Sequence, residues 1–280
     1  MDERSVGLES TRMRRMRYLD RRNIEKEWQK VLLQEEKFLK GDRKKGIEGI
    51  LGAKWIEEKV PDKLVATLYV TLKWVFHYMF EKGTTVIEKT IRGEKLKDEF
   101  EKTDVRVKGH QSKKALRGLE GRVSRKQAIT SGVTMVEGAG LGLLGIGVPD
   151  IPVFTGVVLR GIYEVAASYG YDYNTEWERV FILRAICASL AEGEERFAKN
   201  RKVDQWLAEM KKDEMSYSLE EEIELASAAL TEAILIGKFV QGFFVVGAVG
   251  GVLNVAVYNR ILNYVSMKYK KRYLLAKRNE

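Results

Sequence analysis

The sequence predicts an all-α protein, a multi-helix bundle built around two glycine-rich apolar helical units. Three observations lead there. Only three prolines occur in 280 residues, Pro61, Pro149 and Pro152, in a chain rich in Glu, Lys, Leu and Ala. Apolar residues recur at the i, i+3, i+4 spacing of a buried helical stripe. Alternating apolar segments bounded by turn residues are missing, and so is any clear alternation of strands with helices, which argues against a β-sandwich and against a dinucleotide-binding sheet.

The first segment, Thr11 to Arg22, carries six arginines. It runs into a helix with Ile24, Trp28, Val31, Leu32 and Leu39 on one face. Gly41, Gly46, Gly49 and Gly52 loosen the next part of the chain. Pro61 suits the first turn of a new helix, in which Leu64, Val65, Leu68, Tyr69, Leu72, Val75, Phe76 and Met79 form a strong stripe. Residues 90–131 are dominated by charge and read as exposed helices or a mobile connector. Ser124 and Gln127 have capping-box spacing and open a helix toward the glycine-rich stretch.

That stretch, Gly138 to Gly170, contains the first apolar unit. Its centre, "VPDIP", reads as a break between two apolar helices whose turn carries Asp150, and Gly170 is placed to cap the second. Thr175 with Glu178 marks the next start, before the apolar run Val180–Leu190. Residues 199–222 are polar again. Ser218 with Glu221 caps a helix whose stripe is Leu219, Ile223, Ala226, Leu230 and Ala233. The first unit spans 132–169 and the second 237–259, within which Phe239 to Asn259 carries no charge, bracketed by Lys238 and Arg260. A basic tail, Lys268 to Arg278, completes the pattern. The chain thus divides into an arginine-rich segment and first amphipathic helix (1–43), a helical domain (44–275, with its polar connector at about 90–131) and a short tail (276–280).

Gly140, Gly142 and Gly145 spell G-x-G-x-x-G, the spacing of a dinucleotide-binding turn. Such a turn needs a helix that opens at its later glycines and continues for several turns. Pro149 and Pro152 stand where that helix would run, at about 3 kcal/mol apiece in a helix interior. Close helix packing is the better account. Gly138 with Gly142, and Gly247 with Gly251, form two G-x-x-x-G pairs that let backbones approach.

Charge and composition bound the function. The formal charge is +9, from 49 Lys+Arg against 40 Asp+Glu, which favours an anionic partner. Cys187 is the single cysteine, so no internal disulfide is possible and a reducing cytosol is expected. No apolar core succeeds the basic start, which predicts no signal peptide. Metal-ligand clusters, H-E-x-x-H, G-x-S-x-G and phosphate-loop motifs are all missing, so no cofactor, metal or catalytic residue is assigned. His77 reads as a surface residue one turn from Lys73 and Glu81, His110 as part of the charged connector, and Cys187 as an inert buried thiol. Zinc-finger, RNP and basic-zipper patterns are absent too, which argues against nucleic acid as a partner.

The ordered motifs carry a resemblance: Trp55 with Pro61, Asp150 with Pro152, Arg160, Tyr169-Gly170-Tyr171-Asp172, and "GFFVVGAVGGVLN" with Asn254, then a basic tail bearing Arg272. Together they resemble the EcsC family, named for the third gene of a bacterial operon that also encodes an ABC transporter. The similarity is clearest over Gly132–Leu190 and Gly237–Arg272 and weaker over Lys44–Gly93. In place of a proline that family members often carry there, this chain has Gln241 to Phe244. The resemblance implies an α-helical, hydrophobic protein of poorly defined biochemical role.

The functional expectation is a cytoplasmic protein held peripherally or partly embedded at a membrane. Residues 239–259 are long enough to cross a hydrocarbon core of about 30 Å, or to form the central helix of a bundle. Asp150, Arg160, Glu164, Asn254 and Glu137 are the expected polar fixed points of a lipid or acyl-chain pocket. Arg160 and Glu164 have ion-pair spacing. Gly138, Gly142, Gly247, Gly251, Pro149 and Pro152 shape the packing. Arg12, Arg14, Arg15, Arg17, Lys268, Lys270, Lys271 and Arg272 are the expected contacts to anionic lipid. The alternatives are a non-enzymatic adaptor for an ABC-type membrane transporter, or an enzyme using the acidic residues in an apolar pocket.

Overall fold

The computed structural model describes residues 3–41, 61–83, 93–108, 113–124, 150–209, 217–240 and 250–279. Among the described residues there is no strand, and the all-α expectation holds. In chain order the helices are α1 (Glu3–Lys40), α2 (Asp62–Tyr78, continuing into a π-helical turn at Met79–Gly83), α3 (Gly93–Lys108), α4 (113–124), α5 (Asp150–Ser168), α6 (Glu176–Leu190), α7 (Gly193–Glu209), α8 (Leu219–Val240) and α9 (Gly250–Asn279).

The centre is made by α6 and α9. Helix α6 packs against α7, α8 and α9, while α9 packs against α1, α5, α6 and α8. Helix α2 lies on α5 and α8, and α3 lies on α5. The sequence explains why α6 is central. Residues Val180–Leu190 are apolar on every side, and all but Arg184 are buried, the pattern of a helix with no solvent face. Its start matches the predicted cap, with the Glu178 N–H donating to Thr175 Oγ1 at 3.3 Å. The Ser218 cap is likewise formed, receiving the Glu221 N–H at 3.3 Å.

Gly170 closes α5 as expected. Its φ of 79° lies in the left-handed region. The Tyr171 N–H donates to the Ala166 carbonyl at 3.0 Å and the Gly170 N–H to that of Ala167 at 3.1 Å. These two bonds together form a Schellman motif, which satisfies carbonyls that the helix end leaves open. At the other end Asp150 opens α5 and Pro152 sits in its first turn, where a missing N–H costs no helical bond.

Of the two readings of the charged stretch, its described residues follow the helical one, but the helices are not exposed on every side. Helix α3 buries Leu96, Thr103 and Val107, and α4 buries Ala115, Leu116, Leu119 and Val123. Each stripe is narrow, so the surrounding Lys, Arg and Glu mask it in any composition window. The basic run Lys268 to Arg278 is part of α9. Ile151–Ser168 is long and apolar enough to cross a membrane, with mean hydropathy 1.3, but 67% of it is buried inside the molecule, as in a core helix. The uncharged block 239–259 is shared between the end of α8 and the start of α9. Residues 241–249 lie outside the described residues, as do Gly138, Gly142, Pro149, Gly247 and the G-x-G-x-x-G turn. Gly251 lies in the first turn of α9.

One close helix approach that is described uses a different glycine. A Cβ on Gly161 of α5 would stand 2.6 Å from the Tyr258 hydroxyl and 3.2 Å from Leu262 Cδ1, both on α9. Tyr258 is fully buried, so any shift of its ring disturbs the packed core. Gly161→Leu is therefore expected to lower stability by about 1–3 kcal/mol through overpacking, read as a lower urea midpoint. Gly121→Ala, where an added Cβ meets nothing within 4 Å at an exposed helix position, is expected to raise it by up to about 1 kcal/mol.

Candidate functional site

A dense polar arrangement surrounds the second half of α9. Its cations point in several directions, and each finds carboxylates on other helices. Lys268 is fully buried. Its ammonium contacts Glu35 of α1 and donates to Asp204 of α7 at 2.8 Å. Lys271 reaches the same two carboxylates at 2.6 and 3.1 Å. Asp204 is held in turn by the Asn200 amide at 3.2 Å, and Asn200 accepts from the Tyr264 hydroxyl at 2.8 Å. Lys270 bridges Glu27 of α1, at 2.9 Å, and Glu120 of α4. Further along, Lys277 meets Asp104 of α3 at 2.7 Å and Arg278 meets Glu25 at 3.0 Å.

Arg272 is enclosed among aromatic rings. One guanidinium nitrogen donates to both oxygens of Glu178, each at 2.8 Å. The face of the guanidinium lies 3.7 Å from the Tyr171 ring centroid, and Phe181 stands at 5.6 Å. Stacking of this kind is a property of the planar guanidinium that an ammonium lacks. Tyr171 comes directly after Gly170, so the Schellman turn is what brings its ring over Arg272. Burial pushes the Tyr171 hydroxyl up to about 12, against the opposing pull of Arg272.

Tyr169-Gly170-Tyr171-Asp172 is thus one device. Tyr169 packs near Tyr273, with centroids 6.0 Å apart, and a Cβ on Gly170 would collide with Phe100 at 2.2 Å. The Asp172 carboxylate accepts the Asn174 N–H at 3.0 Å, which shapes the turn into α6. At the far end of α6, Arg260 of α9 caps the open carbonyls. It donates to Ser189, Leu190 and Ala191 at 2.7, 3.1 and 3.0 Å, and to Glu192 at 2.9 Å. A cation there also meets the negative end of the helix dipole.

The EcsC protein family matches residues 22–274 of this chain. The chain belongs to the EcsC family. No curated protein and no solved structure matches it. The family match starts at Arg22, so it takes in the half of α1 that carries Glu25, Glu27 and Glu35. Those carboxylates serve the cations of α9, near the other end of the matched region.

The expected site residues separate into three groups. Arg160 and Glu164 form the expected ion pair at 3.3 Å, with Arg160 40% exposed rather than enclosed. Glu137 lies outside the described residues. Asp150 and Asn254 are placed only on their helices, at the start of α5 and in the first turns of α9. Lys268, Lys270, Lys271 and Arg272, expected at an anionic surface, turn inward, because each already has a carboxylate partner inside the bundle. His77 pairs across the fold with Glu220 at 2.9 Å rather than with Glu81. Cys187 is buried as expected, and burial pushes its thiol up to about 12.

A polar cleft between α6, α7 and α8 has a volume of about 190 Å³ and includes Arg184, Cys187, Lys199 and Glu222 in its lining. That is below the roughly 300–1,000 Å³ of small-molecule pockets. Arg184 is held by Glu222 at 2.6 Å and lies 4.5 Å from the Trp206 ring centroid. No group of three or more His, Cys, Asp and Glu side chains with metal-holding geometry occurs among the described residues.

The charge partners missed in the sequence do leave a signal. On α1, Ile24, Trp28, Val31, Glu35 and Phe38 share one line of 3–4 spacing, so a carboxylate stands in register with the core stripe. On α9, Ile261, Val265, Lys268 and Arg272 do the same with opposite sign.

The network has two measurable consequences. Arg272→Met leaves Glu178 buried and unpaired and is expected to cost about 3–5 kcal/mol, whereas adding Glu178→Leu recovers much of that loss; chemical denaturation of both variants checks it. Burial opposes ionisation of Glu27, but hydrogen bonds from Lys30 and Lys270 outweigh it and hold its pKa at about 2, against an ordinary 4.5. Burial also opposes ionisation of Glu35, where Lys268 and Lys271 prevail and keep its carboxyl below the ordinary range. A lowered carboxyl stabilises the fold fully above its unfolded-state value and loses that contribution as pH falls through the folded value. The urea midpoint should therefore fall progressively below about pH 4.5, less steeply in Glu27→Gln.

Proposed function

We propose that this EcsC-family protein associates with an anionic membrane surface through the arginine-bearing first half of α1, with its glycine-rich apolar segments as the lipid-contacting part. The observation that carries the reading is the continuity of α1. Arg12, Arg14, Arg15 and Arg17 lie on the same unbroken 38-residue helix whose later turns pack against α9. A helix of that length extends about 57 Å at 1.5 Å per residue. Tyr18, Arg21 and Arg22 are exposed on it. The internal pairing of the α9 cations strengthens the assignment, since charge spent on carboxylates is not available to lipid.

Each basic residue near an anionic leaflet contributes about 1 kcal/mol, and the attraction is screened by salt. Flotation with vesicles containing phosphatidylglycerol at low ionic strength is expected to carry the full-length protein upward, and high salt to release it. Replacing Arg12, Arg14, Arg15 and Arg17 together by Gln should weaken binding by up to roughly three orders of magnitude. Wild-type protein that stays in buffer at low salt would sink the proposal.

A further inference from the structure

Helix α2 keeps an aromatic face in solvent. Its inner face is consumed by the core through Leu68, Leu72, Val75 and Phe76. On the outer side Val70 is 62% exposed, Trp74 57% and Tyr78 41%, with the Trp74 and Tyr78 rings stacked at 5.3 Å. Lys63 and Glu81 are also exposed, and neither has an ion-pair partner among the described residues. Residues 63, 70 and 74 are spaced by seven and four, so they run in one line along the helix, the spacing of a two-helix seam, and Glu81 follows them in the π-helical turn.

The line is self-complementary when reversed. Val70 and Trp74 stand two residues on either side of position 72, and Lys63 and Glu81 stand nine on either side. In an antiparallel pair related by a two-fold axis at the 70–74 turn, Val70 of each copy meets Trp74 of the other. The Lys63 end of each then faces the Glu81 end of the other, so opposite charges are brought together twice in the interface. An isologous contact requires this property, that one patch complements itself.

The surroundings disfavour lipid here. Glu220 and Glu224 of α8 border this face and take up its nearby hydrogen-bond donors. Lys73 donates to them at 2.6 and 2.7 Å, and His77 to Glu220 at 2.9 Å. What remains is an aromatic stripe beside an acidic edge, with balanced charges at its ends.

From this we infer that α2 is a homodimerisation surface, in which two copies of the chain pair antiparallel through Val70 and Trp74, with reciprocal Lys63–Glu81 contacts. One helix face is small beside the roughly 800 Å² per partner of a standard interface, so the dimer is weak and concentration-dependent.

Sedimentation velocity of the full-length protein up to about 100 µM, the range suited to an interface of this size, tests it. A monomer–dimer equilibrium is expected, abolished by Trp74→Glu, a change at an exposed position whose folding is checked by circular dichroism. Lys63→Glu alone should weaken the dimer several-fold, and Lys63→Glu combined with Glu81→Lys should restore it. A wild type that stays monomeric, a dimer indifferent to Trp74→Glu, or a double variant no tighter than the single one would each overturn the inference. So would a monomeric wild type whose binding to phosphatidylglycerol vesicles is lost in Trp74→Glu, which would assign the face to the membrane.

Discussion

A cation at the centre of a helical bundle is tolerable only beside a counter-charge, because moving an ion out of water costs several kcal/mol even after relaxation. Helix α9 brings several such cations inside, and the helices around it are arranged to answer them. Glu27 and Glu35 come from α1, Glu120 from α4, Glu178 from α6 and Asp204 from α7. Apolar residues of similar volume would fill the same space at comparable stability. They would not distinguish one register of α1 from the next. A slip of α1 by one helical turn would remove both carboxylates from their lysines, and an apolar seam would penalise the same error far less.

The aromatic groups complete this arrangement. Arg272 and Glu178 neutralise each other, but the guanidinium face still needs neighbours that accept a flat cation. Tyr171 supplies one because the left-handed turn at Gly170 carries the chain from α5 back over α9. A motif recognisable in the sequence as a family mark is thus a packing element that joins three helices.

What could be read in the sequence depends on the scale of the signal. Helix α6 was legible because eleven consecutive residues, Val180 to Leu190, are almost all apolar, and Thr175 and Glu178 mark its start. Gly170 was legible because a glycine after an apolar helix has a single common use. Helices α3 and α4 were obscured by charge, since Leu96, Thr103 and Val107 form a stripe too narrow to alter the local composition. The basic tail misled for a different reason. A run of lysines looks the same whether water or carboxylates surround it, and the carboxylates here lie more than 200 residues away in the chain: Lys268 with Glu35 is separated by 233 residues and Lys270 with Glu27 by 243. Among the expected polar fixed points, Arg160 and Glu164 were correctly paired because their partnership is local. Gly161, at the close approach of α5 to α9, belongs to neither of the G-x-x-x-G pairs, and only the position of Tyr258 reveals its purpose.

The pairing of α1 with α9 also bears on how the molecule is made. Closing a contact across more than two hundred residues is entropically costly, and such contacts form late in folding. At about 5–20 residues per second of synthesis, α1 waits on the order of ten to fifty seconds for the helix that completes its core face. During that interval Ile24, Val31 and Phe38 have no final neighbour, and Glu35 has no lysine. The charges along α1 then keep the waiting helix hydrated on the ribosome, so the feature that later locks the finished bundle first protects its unfinished half from aggregation.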